Sequence, residues 1–566
     1  MVRRRTLFFL SFIVLVAAIA RKHGNWPSRT SQCRTIPGDT SWPDSKAFDD
    51  FNKTVNGRLI STVPIASVCH QPDFDQAQCD ALRNVWFFPE THLESSSSPM
   101  AYPFSNNSCN PFVGSDTACT LGGHVVYSVN ATSVEHVQAT IKFARKNNIR
   151  LVVRNTGHDY LGRSTGAYAI AIWTRHLKSL ELISEYHGTS YDGPAIRVGA
   201  GIESQEAYAF AEQNGLMVVG GNCPTVALAG GYSQGGGHGP LSSRHGLAAD
   251  QILEIEAVTA NGRLVKATPT SNADLLWALS GGGGGTYAVV VSMTVKAFTN
   301  THITMATFSL MNNGTNADAI YEVLGTFLQN LPALADAGAF VAWVAAPFGL
   351  LMSPAMGPGI HKEELDLLIK PTLDKMSDLK QEFSYSSTEY SSFLPGYDSL
   401  TSTWNVSDYN VAGRLIPRSL VEEDTPALVE VIRYISEQTI STGVTFNVNQ
   451  SGPYNVSANP YWRKSLFGMV VGTPINYTDY SKTIAGQDLI TNDLLPRIAE
   501  ITPNGGAYLN EADFQQPDFQ TLFFGENYKR LLAIKRRYDQ DDLFWARTAV
   551  GSERWSEQSD GRLCRV

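Results

Sequence analysis

Apolar residues recur along this chain with two spacings, and the switch from one to the other predicts its elements. Across residues 134–146, Val137, Thr140, Ile141 and Ala144 return every three or four positions, which predicts an amphipathic helix. Ser133 stands at its N-cap, His136 occupies the position usually held by an acid, and Asn147-Asn148 ends it. The short apolar run 149–153 then reads as a buried strand, with an earlier strand beginning around Val125. Strand, helix and strand in that order put the next loop at a strand's carboxyl end, where α/β ligand sites gather. Further strands are predicted at 167–173 and 195–198, and a helix at 204–214 stopped by Gly215. Asn261-Gly262, flanked by the stretches 250–258 and 264–267, predicts a hairpin. A short helix at 274–279 leads through Gly281 to Gly285 into a strand at 287–295. A dinucleotide fingerprint requires strand, glycines, then helix; here the order is reversed, which excludes that site.

After residue 300 the glycine runs stop and strands alternate with amphipathic helices. Helices are predicted at 317–331, 362–380, 425–437 and 489–501, and strands at 339–345, 445–449 and 466–472. Before residue 120 the chain is rich in Pro, Ser and Cys, with brief helices at 45–55 and 75–86. The expected fold class is α+β. Its expected divisions are a leader at 1–20, a disulfide-rich cap at 21–119, a ligand-binding unit at 120–300, a sheet-based unit at 301–501, and a segment at 502–566 that returns to the first unit.

Composition narrows the partners. In 566 residues, 43% hydrophobic and 17% charged content is ordinary globular material, and a net charge of −9 argues against nucleic acid. Arg3-Arg4-Arg5, the apolar run 7–20 and the ending Ala18-Ile19-Ala20 read as a secretory signal, too short to span a membrane. Sequons at Asn52, Asn106, Asn130, Asn313, Asn405, Asn455 and Asn476 agree with export and predict N-glycans. Of seven cysteines, Cys223 stands apart in a Gly/Pro frame, and the even remainder reads as disulfides with fifteen possible connectivities. The expected pairing closes two short loops, Cys69–Cys79 and Cys109–Cys119, and joins the chain ends through Cys33–Cys564.

The chemistry concentrates in two stretches. Arg154-Asn155-Thr156-Gly157-His158-Asp159-Tyr160-Leu161-Gly162-Arg163-Ser164 follows the strand at 149–153, and its glycines allow sharp turns and close backbone approach. Gly221-Asn222-Cys223-Pro224-Thr225-Val226 leads into a glycine-rich run that includes Gly230, Gly231, Gly235 and Gly236. Together these motifs resemble the FAD-linked oxidases that include berberine bridge enzyme, within the vanillyl-alcohol-oxidase (PCMH-type) fold. The resemblance extends through Tyr508-Leu509-Asn510-Glu511-Ala512-Asp513 and the closing region 523–555, and so covers nearly all of the chain. It implies FAD held by two covalent bonds, His158 to the 8α-methyl and Cys223 to C6. Asn155, Thr156, Gly157, Gly162 and Ser164, with Gly230, Gly231, Gly235 and Gly236, are the candidate phosphate cradle. Asn510 is a further candidate cofactor contact.

Oxidation of an alcohol or amine needs a base, and Glu511, Tyr508 and Tyr160 are the candidates. Berberine bridge enzyme carries its base on a substrate-unit strand; the matching stretch here, 466–473, has no carboxylate. Val226, three residues after Cys223, matches the relatives' gate for dioxygen and implies an oxidase that releases H2O2. His238 and His245 lack companions at ligand spacing, so they read as loop histidines and no metal is expected. The expected activity is oxidation of a small alkaloid, polyketide or phenolic. An oligosaccharide oxidase and a flavin-bearing binding protein are the alternatives.

Overall fold

The computed structural model describes residues 33–314, 317–400, 405–449 and 455–566; the predicted signal at 1–20 lies outside the described residues. Three sheets carry the architecture. In the first, Ile170–Trp173 pairs in parallel with both Tyr127–Asn130 and Leu151–Arg154, and Leu59–Ser61 closes the edge. The helix Val134–Lys146 connects two strands that are not neighbours, because Ile170–Trp173 enters between them. Its Val137, Ile141 and Ala144 share one core with Leu151 and Ile172 of this sheet and with Val258 and Val289 of the next. Ser133 sits at the N-cap but makes no side-chain cap; His136 Nδ1 accepts from Thr132 N instead, at 3.3 Å.

The second sheet is antiparallel: Leu180–His187, Asp192–Gly199, Ala288–Lys296, Ile252–Thr259 and Leu264–Ala267. Its last pair is the hairpin predicted from Asn261-Gly262, with Val258 opposite Leu264 and Gly262 at φ 79°.

The third sheet has seven antiparallel strands in the order Phe383–Tyr390, Ile303–Met311, Gly349–Pro358, Phe340–Ala346, Ile440–Thr445, Ser465–Pro474 and Tyr409–Pro417. One face packs on the helices Ala317–Asp336, Lys362–Asp378 and Thr425–Ser436 through a core containing Phe327, Leu428 and Phe467. The strand predicted at 445–449 lies earlier, at Ile440–Thr445. Phe446 and Val448 are apolar because they pack against Trp462 and Tyr508 in a separate cluster. The helix predicted at 489–501 is interrupted by a wide turn at Ile490–Leu494 before resuming at Leu495–Ile501, where Pro496 supplies no N–H to the ladder.

The three expected disulfides are present: Cys69–Cys79, Cys109–Cys119 and Cys33–Cys564, the last across 531 positions. The chain's end packs on the N-terminal cap. Arg34 donates to the carbonyls of Asp541 and Asp542, and Arg562 pairs with Asp39 at 2.8 Å. Among the described residues no helix is long and apolar enough to cross a membrane.

Candidate active site

The loops after Leu151–Arg154 and around Cys223 face the open side of the seven-stranded sheet across a cavity of about 820 Å³. Arg154, fully buried, anchors the first loop by donating to the carbonyls of His92 and Ser98 at 3.0 and 2.8 Å. Asp159 folds that loop back on itself, accepting from the backbone N–H of Leu161 and Ser164 at 3.0 and 2.6 Å. Gly157 has φ 91°, and a Cβ there would lie 2.6 Å from the Arg154 guanidinium, so only glycine allows this path. The second loop is held from outside: Tyr208 and Tyr397 donate to the carbonyls of Gly221 and Asn222, each at 2.8 Å.

These loops bring His158 and Cys223 together. His158 Nε2 shares a 2.7 Å hydrogen bond with Thr225 Oγ1 and lies 4.0 Å from Cys223 Sγ, while no hydrogen bond engages Nδ1. Burial lowers the His158 pKa to about 4 and raises that of the Cys223 thiol. Cys223 is the free cysteine among the described residues, and it lines the cavity with His158.

Of the predicted cofactor contacts, Asn155, Thr156, Gly157, Ser164, Gly230, Gly231 and Asn510 line the cavity. Gly162, Gly235 and Gly236 do not. A Cβ on Gly162 would meet the Phe104 ring at 2.4 Å, and one on Gly235 would meet Asn510 Nδ2 at 2.4 Å. Gly236, at φ 121°, turns the chain towards Tyr508 and Trp462. These glycines serve close packing and turning. Asn510 acts as a fastener, donating to Gly231 O and Tyr508 Oη at 2.9 Å each.

The residues present fit a large polar-and-planar cofactor. Asn155 Oδ1, Asn222 Oδ1 and Gln234 Oε1 are buried on lining residues without hydrogen-bond partners. A Cβ on Gly231 would meet nothing within 4 Å, so the backbone there offers a bare surface to the cavity.

The opposite wall is mostly apolar, with Thr442 and Asp408 among its polar groups. Phe340, Ala342 and Val344 point into the cavity while Val341 and Ala345 point to the helices, the period-two pattern of a strand with two buried faces. Val411, Val444 and Val470 extend this wall. The strand Ser465–Pro474 carries no carboxylate, as the sequence indicated, and offers Val470 and Gly472 to the cavity.

All three candidate bases, and Val226, line the cavity. Glu511 Oε1 lies 3.0 Å from His238 Nε2, and His238 is boxed by the rings of Tyr508, Phe446 and Trp462 at 5.3–6.0 Å. Burial pushes the phenols of Tyr508 and Tyr160 well above their ordinary range; for Tyr160 the fields of Cys223, Glu511 and Asp408 add to it. Sequence reasoning passed over His238 as a loop histidine because its partner is 273 positions away. It also passed over Asp408, a lining carboxyl that burial raises, which Asn405 contacts at 3.0 Å. Asp408 precedes a strand with no motif to mark it.

Comparison with known proteins accounts for this constellation. A family described as FAD binding domain matches residues 125–268, and one described as berberine and berberine like matches residues 507–551. The FAD-linked oxidoreductase sor8 of Hypocrea jecorina is 46% identical, over 95% of this chain and 94% of that protein. The FAD-linked oxidoreductase patO of Aspergillus clavatus is 40% identical over 99% of both chains. The crystal structure of the VAO-type flavoprotein MtVAO615 from Myceliophthora thermophila superposes with a TM-score of 0.91 at 37% identity, covering 94% of this chain and all of that one. With matches that span both sheet-based units and the returning tail, the chain belongs to the FAD-linked oxidoreductases of the VAO-type, berberine-like family.

Proposed function

We propose that this protein is a secreted oxidase that carries FAD on His158 and Cys223 and oxidises a small, largely apolar alcohol, amine or phenol, with O2 as acceptor and H2O2 as product. The reading rests on one observation: an imidazole and a thiol side by side on the floor of a cavity whose facing wall is mostly apolar. Thr225 occupies Nε2 of His158, which leaves Nδ1 for attachment. Bound FAD supplies the two-electron acceptor that no side chain can provide. Asn155, Asn222, Gln234 and the bare backbone at Gly231 hold it.

The chain's own groups handle the proton. Glu511 takes the substrate's hydroxyl or amine proton, and His238 Nε2, 3.0 Å from Glu511 Oε1, holds that carboxyl group in place. Burial raises the Tyr508 and Tyr160 phenols, so they stay protonated and serve as hydrogen-bond donors to substrate. The valine-rich wall excludes water and favours a secondary-metabolite-type skeleton. An oligosaccharide would leave its hydroxyls unpaired against Val344, Val411 and Val470. Val226 beside Cys223 supports dioxygen as the acceptor through the family resemblance. Glycans fit at the exposed Asn106, Asn313 and Asn455. Asn405 lines the cavity, so a glycan there would crowd its mouth.

Acid precipitation tests the attachment. The wild-type pellet should stay yellow, as should those of His158→Ala and Cys223→Ala, while the double variant should lose its colour. A colourless wild-type pellet refutes covalent attachment. Screening of apolar alcohols and phenols should bleach the flavin anaerobically and consume O2 in air. Steady turnover with a quinone and none with O2 would overturn the oxidase assignment.

A further inference from the structure

At the outer edge of the seven-stranded sheet, far from the glycine loops in sequence, three metal-ligating side chains converge from three segments. His302 immediately precedes the strand Ile303–Met311, His361 is the N-cap of the helix Lys362–Asp378, and Glu389 lies on the edge strand Phe383–Tyr390. One ligand atom from each lies within 4.8 Å of the others. We propose that His302, His361 and Glu389 bind one divalent transition ion of the zinc class.

The donor set selects the ion. Two imidazoles and one carboxylate suit zinc, cobalt, nickel or copper, whereas magnesium and calcium prefer oxygen alone. Donors on a tetrahedral zinc stand about 3.3 Å apart, given bonds of about 2.0–2.1 Å. His361 Nδ1 and Glu389 Oε1 are already 3.2 Å apart. A His302 ring nitrogen lies within 4.8 Å of both, and its Nε2 is buried with no hydrogen-bond partner among the described residues. The two imidazole rings lie face to face at 4.2 Å and 13°, so one ring turns out of the stack when both ligate.

The surroundings are built to hold such ligands still. Lys362 N donates to Glu389 Oε2 at 2.9 Å, a supporting bond of the kind that orients metal carboxylates, while Oε1 faces His361 Nδ1, whose place between them an ion would take. The His302 carbonyl accepts from Gly359 N at 2.7 Å, which fixes the backbone under that ligand. The one lysine at the site, Lys362, turns its ammonium away to Asp366 at 2.6 Å, so no side-chain cation fills the position. Water supplies a fourth ligand, because His361 and Glu389 are 67% and 32% exposed.

The consequence is a clip. An ion here ties the edge strand to the sheet's next strand and to the helix start. The helix Phe393–Leu400 follows that edge strand and carries Tyr397, which holds the Asn222 carbonyl next to Cys223. The clip therefore braces the support on which the Cys223 loop leans, without entering the cavity.

The test uses the intact flavoprotein, freed of metal by a chelator and titrated with ZnCl2 by calorimetry, with thermal melting alongside. One equivalent should bind and raise the melting midpoint. Loss of an outer-shell partner weakens metal sites about 10–100-fold, and loss of a ligand should weaken this one at least as much. His361→Ala and Glu389→Gln should each do so while their metal-free melting midpoint and flavin absorbance match the parent. No stoichiometric zinc uptake by the wild type, or equal uptake by both variants, overturns the proposal. Because uptake is read by calorimetry, an inactive oxidase would leave the result intact.

Discussion

Lys535→Met should loosen the cofactor end of the cavity from behind. Lys535 and Asp539 are 2% and 0% exposed and pair at 2.6 Å on the helix Tyr528–Tyr538 and just past its end. All three ammonium donors are used: one by Asp539 Oδ2, the others by the carbonyls of Thr286 and Phe544 at 2.7 and 2.8 Å. Asp539 in turn accepts from the N–H groups of Leu543 and Phe544 at 2.9 and 2.8 Å. Methionine fills the same space but leaves a buried carboxylate without its cation and two carbonyls unpaired. Breaking a buried pair this way costs about 3–5 kcal/mol. At about 2 °C per kcal/mol for a cooperative unit of roughly 250 residues, the melting midpoint should fall by about 6–10 °C. Thr286 follows Gly284-Gly285 and Phe544 precedes Trp545-Ala546, and all four of those neighbours line the cavity. The same variant should therefore lose flavin on purification, read as the ratio of visible to ultraviolet absorbance. Adding Asp539→Asn removes the stranded charge and should recover part of the lost stability. An unchanged midpoint with full flavin content, or a double variant less stable than the sum of the singles, would refute this account.

Gly231→Val adds a side chain where no protein atom lies within 4 Å, so the fold should persist while flavin occupancy drops sharply; full occupancy would contradict the cradle. His92 is fully buried between Trp86 O, Ser98 Oγ and Ser407 Oγ, and burial lowers its pKa to about 4. An unfolded histidine titrates near 6.5, so between about pH 6.5 and 4 only the unfolded chain takes up that proton. His92 alone should contribute a fall of about 3 kcal/mol in stability as pH drops through that window and none above it, and His92→Gln should remove this part of the slope; equal slopes would refute it. Replacing Cys33 and Cys564 by serine frees both chain ends and should cost about 2–5 kcal/mol, seen as a lower melting midpoint under non-reducing conditions.

Local chemistry was readable from the chain alone. The helix Val134–Lys146 and the hairpin at Asn261-Gly262 follow from spacing and turn residues, because both depend on contacts within a few positions. The Gly157-His158 loop was legible because a positive φ and a backbone packed against an arginine admit no residue but glycine. Strands such as Leu180–His187, Ile303–Met311, Gly349–Pro358, Phe383–Tyr390 and Tyr409–Pro417 went unmarked. Their partners supply the order that their own composition does not, and the phase of the run at 440–449 was misjudged for the same reason.

Long-range pairing decided the rest. Glu511 was identifiable as a candidate base, but its partner His238 is set beside it by the returning tail, 273 positions away. His302, His361 and Glu389 have no shared spacing at all; only the sheet edge brings them within reach. A short motif records what its own backbone must do, whereas a site assembled from distant segments exists only once apolar faces have chosen their neighbours.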